Sequence, residues 1–122
     1  MIHFTYKNLS FNIKKIKLFK NNFKIGTSTI SISNNFITIN DIFIHNKYRK
    51  YGYGSLLLNN IEDLSINQYN INKIILLAWQ PYGSSNVIDF FKKNNYNIKD
   101  NNIELYDDYL TIFELYKFEK NL

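Results

Sequence analysis

Apolar and polar positions alternate along most of the first 44 residues, the two-residue period of strands with one buried face. Met1–Tyr6 reads as a short strand. Phe11 to Phe19 fits two periods. Ile13, Ile16 and Phe19 match a helix, whereas Phe11/Ile13 and Ile16/Leu18 match a strand with a slip at Lys14-Lys15. The Asn21-Asn22 turn signal that follows favours the strand. Phe23–Ser33 and Phe36–Ile44 are β-branched runs separated by Asn34-Asn35, a residue type that tolerates positive φ. The period then changes. From Ser55, Leu57, Ile61 and Leu64 recur at helical spacing, with Asn59, Asn60, Glu62 and Asp63 opposite, and the pattern fades near Asn67–Asn70. Lys73–Trp79 has the length of a buried strand. A helix through Val87, Ile88, Phe90 and Phe91 ends at Asn94-Asn95. Tyr96–Ile98 and Tyr109–Tyr116 read as closing strands, joined by an acidic loop through Asp100, Glu104, Asp107 and Asp108. The pattern predicts a mixed, mostly antiparallel central sheet of six to seven strands in an α/β fold.

At 122 residues the chain is read as a single domain spanning residues 1–122. Its 45% hydrophobic content supports a core and rules out a disordered chain. No apolar run reaches the length of a membrane-spanning helix. The residues Met1–Lys7 lack the basic start and apolar run of a signal peptide, so a cytoplasmic setting is expected. Cysteine is absent and there are two histidines, His3 and His45, which excludes thiolate chemistry and leads us to expect no metal. Asn, Ile, Lys, Tyr and Phe supply 73 of the residues, all from A/T-rich codons. That bias discounts the net charge of +5 as a mark of nucleic-acid binding, although Lys14, Lys15, Lys17, Lys20 and Lys24 interleave with Phe11, Phe19 and Phe23. It also makes rare residues informative. The one arginine is Arg49, and two of the four glycines, Gly52 and Gly54, follow it closely.

The junction from His45 to Ser55 is where a strand stops, a glycine-bearing turn follows and a helix begins. The first N–H groups of a helix lack intrahelical partners, and its dipole makes that end positive. Together they form an anion site, phosphate above all. Glycine permits close backbone approach, and arginine adds a planar charged donor. A phosphate or diphosphate cradle is one reading; a strand-to-helix turn with a surface arginine is the other. There is neither a G-x-x-x-x-G-K-[ST] loop nor a G-x-G-x-x-G turn after the first strand.

The segment Ile39–Leu58, with Arg49-Lys50-Tyr51-Gly52-Tyr53-Gly54 at its centre, resembles the acetyl-CoA motif of the GNAT superfamily of N-acetyltransferases. That motif is a fourth strand, then [RQ]-x-x-G-x-[GA], then a Leu-rich helix. Ile74–Trp79 resembles the family's fifth strand, and Val87–Tyr96 its A-x-x-[FY]-[YF]-x-K-x-G-F helix end. The resemblance implies a GNAT fold with its N-terminal helices reduced, since about 48 residues precede Arg49. It implies acetyl-CoA as cosubstrate, and direct transfer to a primary amine of a small molecule or peptide. The pantetheine arm would pair with Ile42, Phe43 and Ile44. The diphosphate would rest on the N–H groups of Lys50, Tyr51, Gly52, Tyr53, Gly54 and Ser55 beside Arg49. Phe91 is carried as a cofactor contact, at a position where many members have the Tyr proposed to protonate the leaving thiolate. Asn95 replaces the usual Gly. Asp41 is the best placed carboxylate for a base; His45 lies past the strand end. Glu104, Asp107 and Asp108 would rim the acceptor site, and Tyr82, Tyr96 or Tyr116 could each supply a phenol. Trp79 reads as core. The resemblance also makes a homodimer an expectation. A non-catalytic acyl-CoA-binding regulator is the alternative, and nucleic acid and membrane are not expected partners.

Overall fold

The computed structural model describes residues 1–81, 86–105 and 112–122, and for residues 79–81, 101–105 and 112–114 the backbone alone. In chain order the elements are β1 (Ile2–Ser10), β2 (Ile13–Lys20), β3 (Phe23–Ile32), β4 (Ile37–Ile44), a 3₁₀ turn (Asn46–Tyr48), α1 (Tyr53–Tyr69), β5 (Lys73–Pro81), α2 (Asn86–Lys93), β6 (Asn97–Leu105) and β7 (Ile112–Asn121). The strands form a seven-stranded sheet in the order β1-β2-β3-β4-β5-β7-β6. The chain divides into two compact units, Met1–Ile74 (with Leu122) and Ile75–Asn121. No helix among the described residues is long and apolar enough to cross a membrane.

The first unit is an antiparallel meander, β1 to β4, with α1 against β3 and β4. Ile16, Leu18, Ile25, Ile30, Ile37 and Ile39 are buried, as are Leu57, Leu58 and Ile61 of α1, which packs on β3 and β4. Each such side chain stabilises the fold by roughly 1.5–3 kcal/mol. The ambiguous segment 7–20 is a hairpin. β1 runs on to Ser10, beyond the predicted Tyr6, and β2 keeps strict alternation through Lys14, Ile16 and Leu18. The predicted slip at Lys14-Lys15 is absent because Lys14 itself faces inward. It is 6% exposed, and its ammonium lies over the rings of Tyr6 (5.8 Å) and Tyr69 (5.1 Å), a cation–π cage in place of an apolar neighbour.

Two bulges set the strand phases. Leu18 pairs with Gly26 and Phe19 with Lys24, so Ile25 is the extra residue of β3 and both Ile25 and Gly26 are buried. Thr29 pairs with Asp41 and Ile30 with Ile39, so Asn40 is the extra residue of β4. Inward positions shift there from odd to even numbers, as one inserted residue requires. α1 ends at Asn70 in the left-handed region (φ 53°). The buried Ser65 hydroxyl donates to the Ile71 carbonyl at 2.6 Å.

The second unit has an aromatic core. Phe91 of α2 packs against Tyr96 (5.8 Å between centroids) and Phe118 (5.2 Å), and Tyr116 lies beside Phe118 (6.2 Å). Asn95 holds the left-handed conformation (φ 70°) that the helix end requires, and the Tyr96 N–H returns to the Phe91 carbonyl at 2.9 Å. One expectation is corrected. Asp100 and Glu104 are not in a loop: they lie in β6, which is nine residues long and pairs with β7 from Asn97–Glu119 to Leu105–Ile112. The run of Asn, Lys and Asp in β6 has poor strand propensity, and the ladder to β7 overrides it. The predicted Asp107 and Asp108 lie outside the described residues.

Candidate functional site

The end of β4 and the start of α1 form one continuous piece of backbone. His45 donates its N–H to the Ile25 carbonyl at 2.9 Å, closing the β3–β4 ladder. The 3₁₀ turn then folds on two backbone bonds, Tyr48 N–H to His45 and Arg49 N–H to Asn46. Lys50 (φ 69°) and Gly52 (φ 83°) both take left-handed conformations, which reverse the chain into α1. Glycine holds that geometry without strain. A Cβ built on Gly52 meets nothing within 4 Å, so the space above this backbone is open. Gly52 is the N-cap of α1 and supplies no side-chain bond to the helix; its carbonyl accepts the Leu56 N–H at 3.1 Å. The first-turn amides of Tyr53, Gly54 and Ser55 thus point out of a helix of 17 residues with no acidic side chain in that turn.

Arg49 is anchored beside these amides. Its Nε donates to the Ile44 carbonyl at 2.9 Å, and its guanidinium sits 5.6 Å from the Phe43 ring centre. The anchoring bond leaves the terminal nitrogens to carry the remaining four donors. His45 meets the Phe43 ring edge-on at 5.2 Å. Tyr53 contacts Tyr48 (6.3 Å) and Tyr51 (6.4 Å), and Tyr51 is 73% exposed. On the other flank a cavity of about 480 Å³ is lined by Phe23, Lys24, His45, Asn46, Lys47 and Tyr48. Ile42 and Ile44 are half-buried, and Phe43 is exposed.

Asp41 sits at the β4 bulge. One carboxylate oxygen accepts the Thr29 N–H at 3.0 Å, and its carbonyl accepts the Ser28 hydroxyl at 2.6 Å. Its side chain therefore closes the ladder where Asn40 interrupts it. Phe91 is 4% exposed, and its ring is held in the aromatic core of the second unit. Tyr96 and Tyr116 are buried in that same core. Tyr82 lies outside the described residues, as do the side chains of Trp79 and Glu104. Among the described residues no group of three acidic or histidine side chains could hold a metal.

Gly26 was not legible as a site residue. It pairs with Ile44, and a Cβ there would lie 2.5 Å from the Phe43 carbonyl oxygen and 2.6 Å from Ile44 Cδ1. The bare glycine thus lets the end of β4 approach β3 closely. The available signal was an isolated glycine inside a β-branched strand, the usual mark of a bulge or close backbone approach.

The strand–glycine turn–helix unit can now be compared with known proteins. The family model described as the acetyltransferase (GNAT) family matches residues 12–96. This chain belongs to the GNAT acetyltransferase family. Acetyl-CoA is accordingly its cosubstrate, and the seven-stranded fold with two helices is the family's, in a form with reduced N-terminal helices. No curated protein matches the sequence. A GNAT family acetyltransferase from Elizabethkingia anophelis with acetyl-CoA bound superposes with a TM-score of 0.77 at 12% identity, covering 99% of this chain and 98% of that one. A Bacillus subtilis acetyltransferase in complex with CoA gives 0.75 at 10% identity, over 100% and 99%. The spermidine/spermine N-acetyltransferase SpeG from Vibrio cholerae gives 0.77 at 13% identity, over 93% and 67%. At these identities the likeness to each structure is one of fold.

Proposed function

We propose that this GNAT protein is a cytoplasmic enzyme that transfers the acetyl group of acetyl-CoA directly to a primary amine of a small molecule or peptide. The observation that carries the reading is the open, uncapped start of α1 behind the left-handed Gly52, with Arg49 fixed at its side. In this reading the amides of Lys50 through Ser55 hold the diphosphate, as a positive helix end with close backbone access favours. Arg49 adds charged donors through its terminal nitrogens. The backbone of Ile42, Phe43 and Ile44 lines the pantetheine arm, with the Ile44 carbonyl also accepting from Arg49. Phe91 is a further contact of the cofactor in this reading, offered from the aromatic core at the end of α2. The amine nitrogen attacks the thioester carbon, the carbon–sulfur bond breaks, and the thiolate leaves and is protonated. Asp41 accepts the amine's proton through the carboxylate oxygen not engaged with Thr29. Two copies of the chain associate in this reading, as the family resemblance implies.

Isothermal titration with acetyl-CoA tests the cradle, and binding in the micromolar range is expected. No heat at millimolar ligand overturns it. Release of CoA thiol with a panel of polyamines, lysine peptides and aminosugars tests the transfer. Binding without release from any acceptor rejects the enzyme reading in favour of a carrier-binding regulator. Asp41→Asn is expected to lower kcat while leaving the acetyl-CoA Kd unchanged; an unchanged kcat removes Asp41 as the base.

A further inference from the structure

Charge is divided unequally between the two units. Residues 1–74 carry ten Lys and Arg against three acidic residues, a net +7, while residues 75–121 carry five against seven, a net −2. Codon bias accounts for many lysines but not for where the fold puts them. The register places four of them on the sheet face away from Ile16 and Leu18. Lys7 of β1 lies directly opposite Lys15 of β2, Lys17 stands opposite Thr5 in the next row, and Lys24 of β3 pairs with Phe19. Like charges facing each other across a ladder destabilise it. Lys14, on the other face, is caged by tyrosines; among the described residues no carboxylate pairs with Lys7, Lys15, Lys17 or Lys24. β1 to β4 hold one acid, Asp41, and its carboxylate is taken up by the Thr29 amide.

Aromatic rings share this basic face. His3 stacks on Phe19 at 5.1 Å with their planes 6° apart, and Phe43, in the Thr5–Lys17–Thr27 row, is 45% exposed. A sheet face that sets unneutralised ammonium groups beside the exposed Phe43 ring and the stacked His3–Phe19 pair offers what an unpaired phosphodiester strand needs. The ammonium groups neutralise phosphates, and the rings take bases that have no partner strand. We propose that the Lys7–Lys15–Lys17 face of β1 and β2, with the rings of Phe19 and Phe43, binds single-stranded nucleic acid. This inference does not depend on the acetyl-transfer reading.

The probe is a fluorescent oligothymidylate of about twenty nucleotides, followed by anisotropy on the full chain between about 50 and 200 mM salt. Wild type is expected to bind it, and to bind it more tightly than an abasic oligomer of equal length, because stacking contributes. The triple variant Lys7→Gln, Lys15→Gln, Lys17→Gln is expected to weaken binding at least about tenfold. It should also flatten the slope of log K against log salt by about 2, since each single-strand phosphate neutralised contributes about 0.7. Its Tm should stay level or rise, because the Lys7–Lys15 repulsion is gone. Its acetyl-CoA binding should stay unchanged. Equal binding by the triple variant, an equal slope, or equal affinity for the abasic oligomer overturns the proposal. So does absence of oligonucleotide binding by wild type, including the case where anionic vesicles are bound instead. Failure of acetyl-CoA binding with oligonucleotide binding intact strikes the proposed function alone.

Discussion

The two units reach stability by different packing. In Met1–Ile74 the core is aliphatic: isoleucines and leucines from β2, β3, β4 and α1, arranged by strand alternation. In Ile75–Asn121 it is aromatic, with Phe91, Tyr96, Tyr116 and Phe118 gathered around the end of α2. In the first unit the end of β4 and the turn into α1 are held by backbone bonds, His45 to Ile25 and Tyr48 to His45, and by the Arg49 bond to Ile44. A few large rings concentrate the stabilisation of the second unit in single side chains. The difference shows in the surface as well. Among the described residues, every exposed large aromatic side chain belongs to the first unit.

This contrast can be broken or sharpened by substitution. The largest expected effect is on the aromatic side. Phe118 is fully buried, and Phe118→Ala should cost about 3–5 kcal/mol in chemical denaturation, against about 0.5–1.5 kcal/mol for Ile16→Val in the aliphatic core. A loss at Phe118 below about 2 kcal/mol would show that the second unit does not concentrate its stability in single rings. Next comes Gly52→Asp. It sets a carboxylate at the helix end with open space around it, so acetyl-CoA affinity should fall by about a hundredfold or more, roughly 3 kcal/mol. Retained affinity would mean that the anion does not sit there.

Gly26→Ala has a smaller and mixed effect. The added methyl meets backbone, the Phe43 carbonyl, so stability should drop by about 1–3 kcal/mol. Acetyl-CoA titration should show weaker binding as well, because the end of β4 is displaced; a lower Tm with unchanged affinity would make Gly26 purely a packing residue. Arg49→Ala loses the anchor to Ile44 and the charged donors, for about a tenfold loss in acetyl-CoA affinity by titration, near 1.4 kcal/mol. The smallest change is Asn95→Ala, about 1 kcal/mol in thermal or chemical denaturation from placing a Cβ-bearing residue without a polar side chain at φ 70°. Asn95→Gly should show no such loss.

Much was legible in the residues themselves. Periodicity located the strands and both helices, since Ile30/Ile32 and Leu57/Ile61/Leu64 can satisfy one period each. The Arg49–Gly54 spacing marked the turn ahead of α1, because few residue types tolerate the left-handed conformation that Gly52 holds there. The limits were equally physical. Asp100 and Glu104 read as loop because local propensity cannot register a ladder to β7. The packing of Phe91 was likewise hidden, because one of the rings against it, Phe118, lies 27 positions along the chain.

Short-range properties, then, were determined by sequence alone: the two helices and the strands with a clean two-residue period, where the chain reverses, and which end of a helix is electrically positive. These follow from sterics and hydrogen bonding within a few residues. Only the tertiary structure decided that Gly26 yields space to the end of β4, that Asp41 spends a carboxylate oxygen on the β3 backbone, and that Lys7 faces Lys15. Each is a consequence of strand register, and register is set by the summed burial of a whole ladder, which no local window of residues contains.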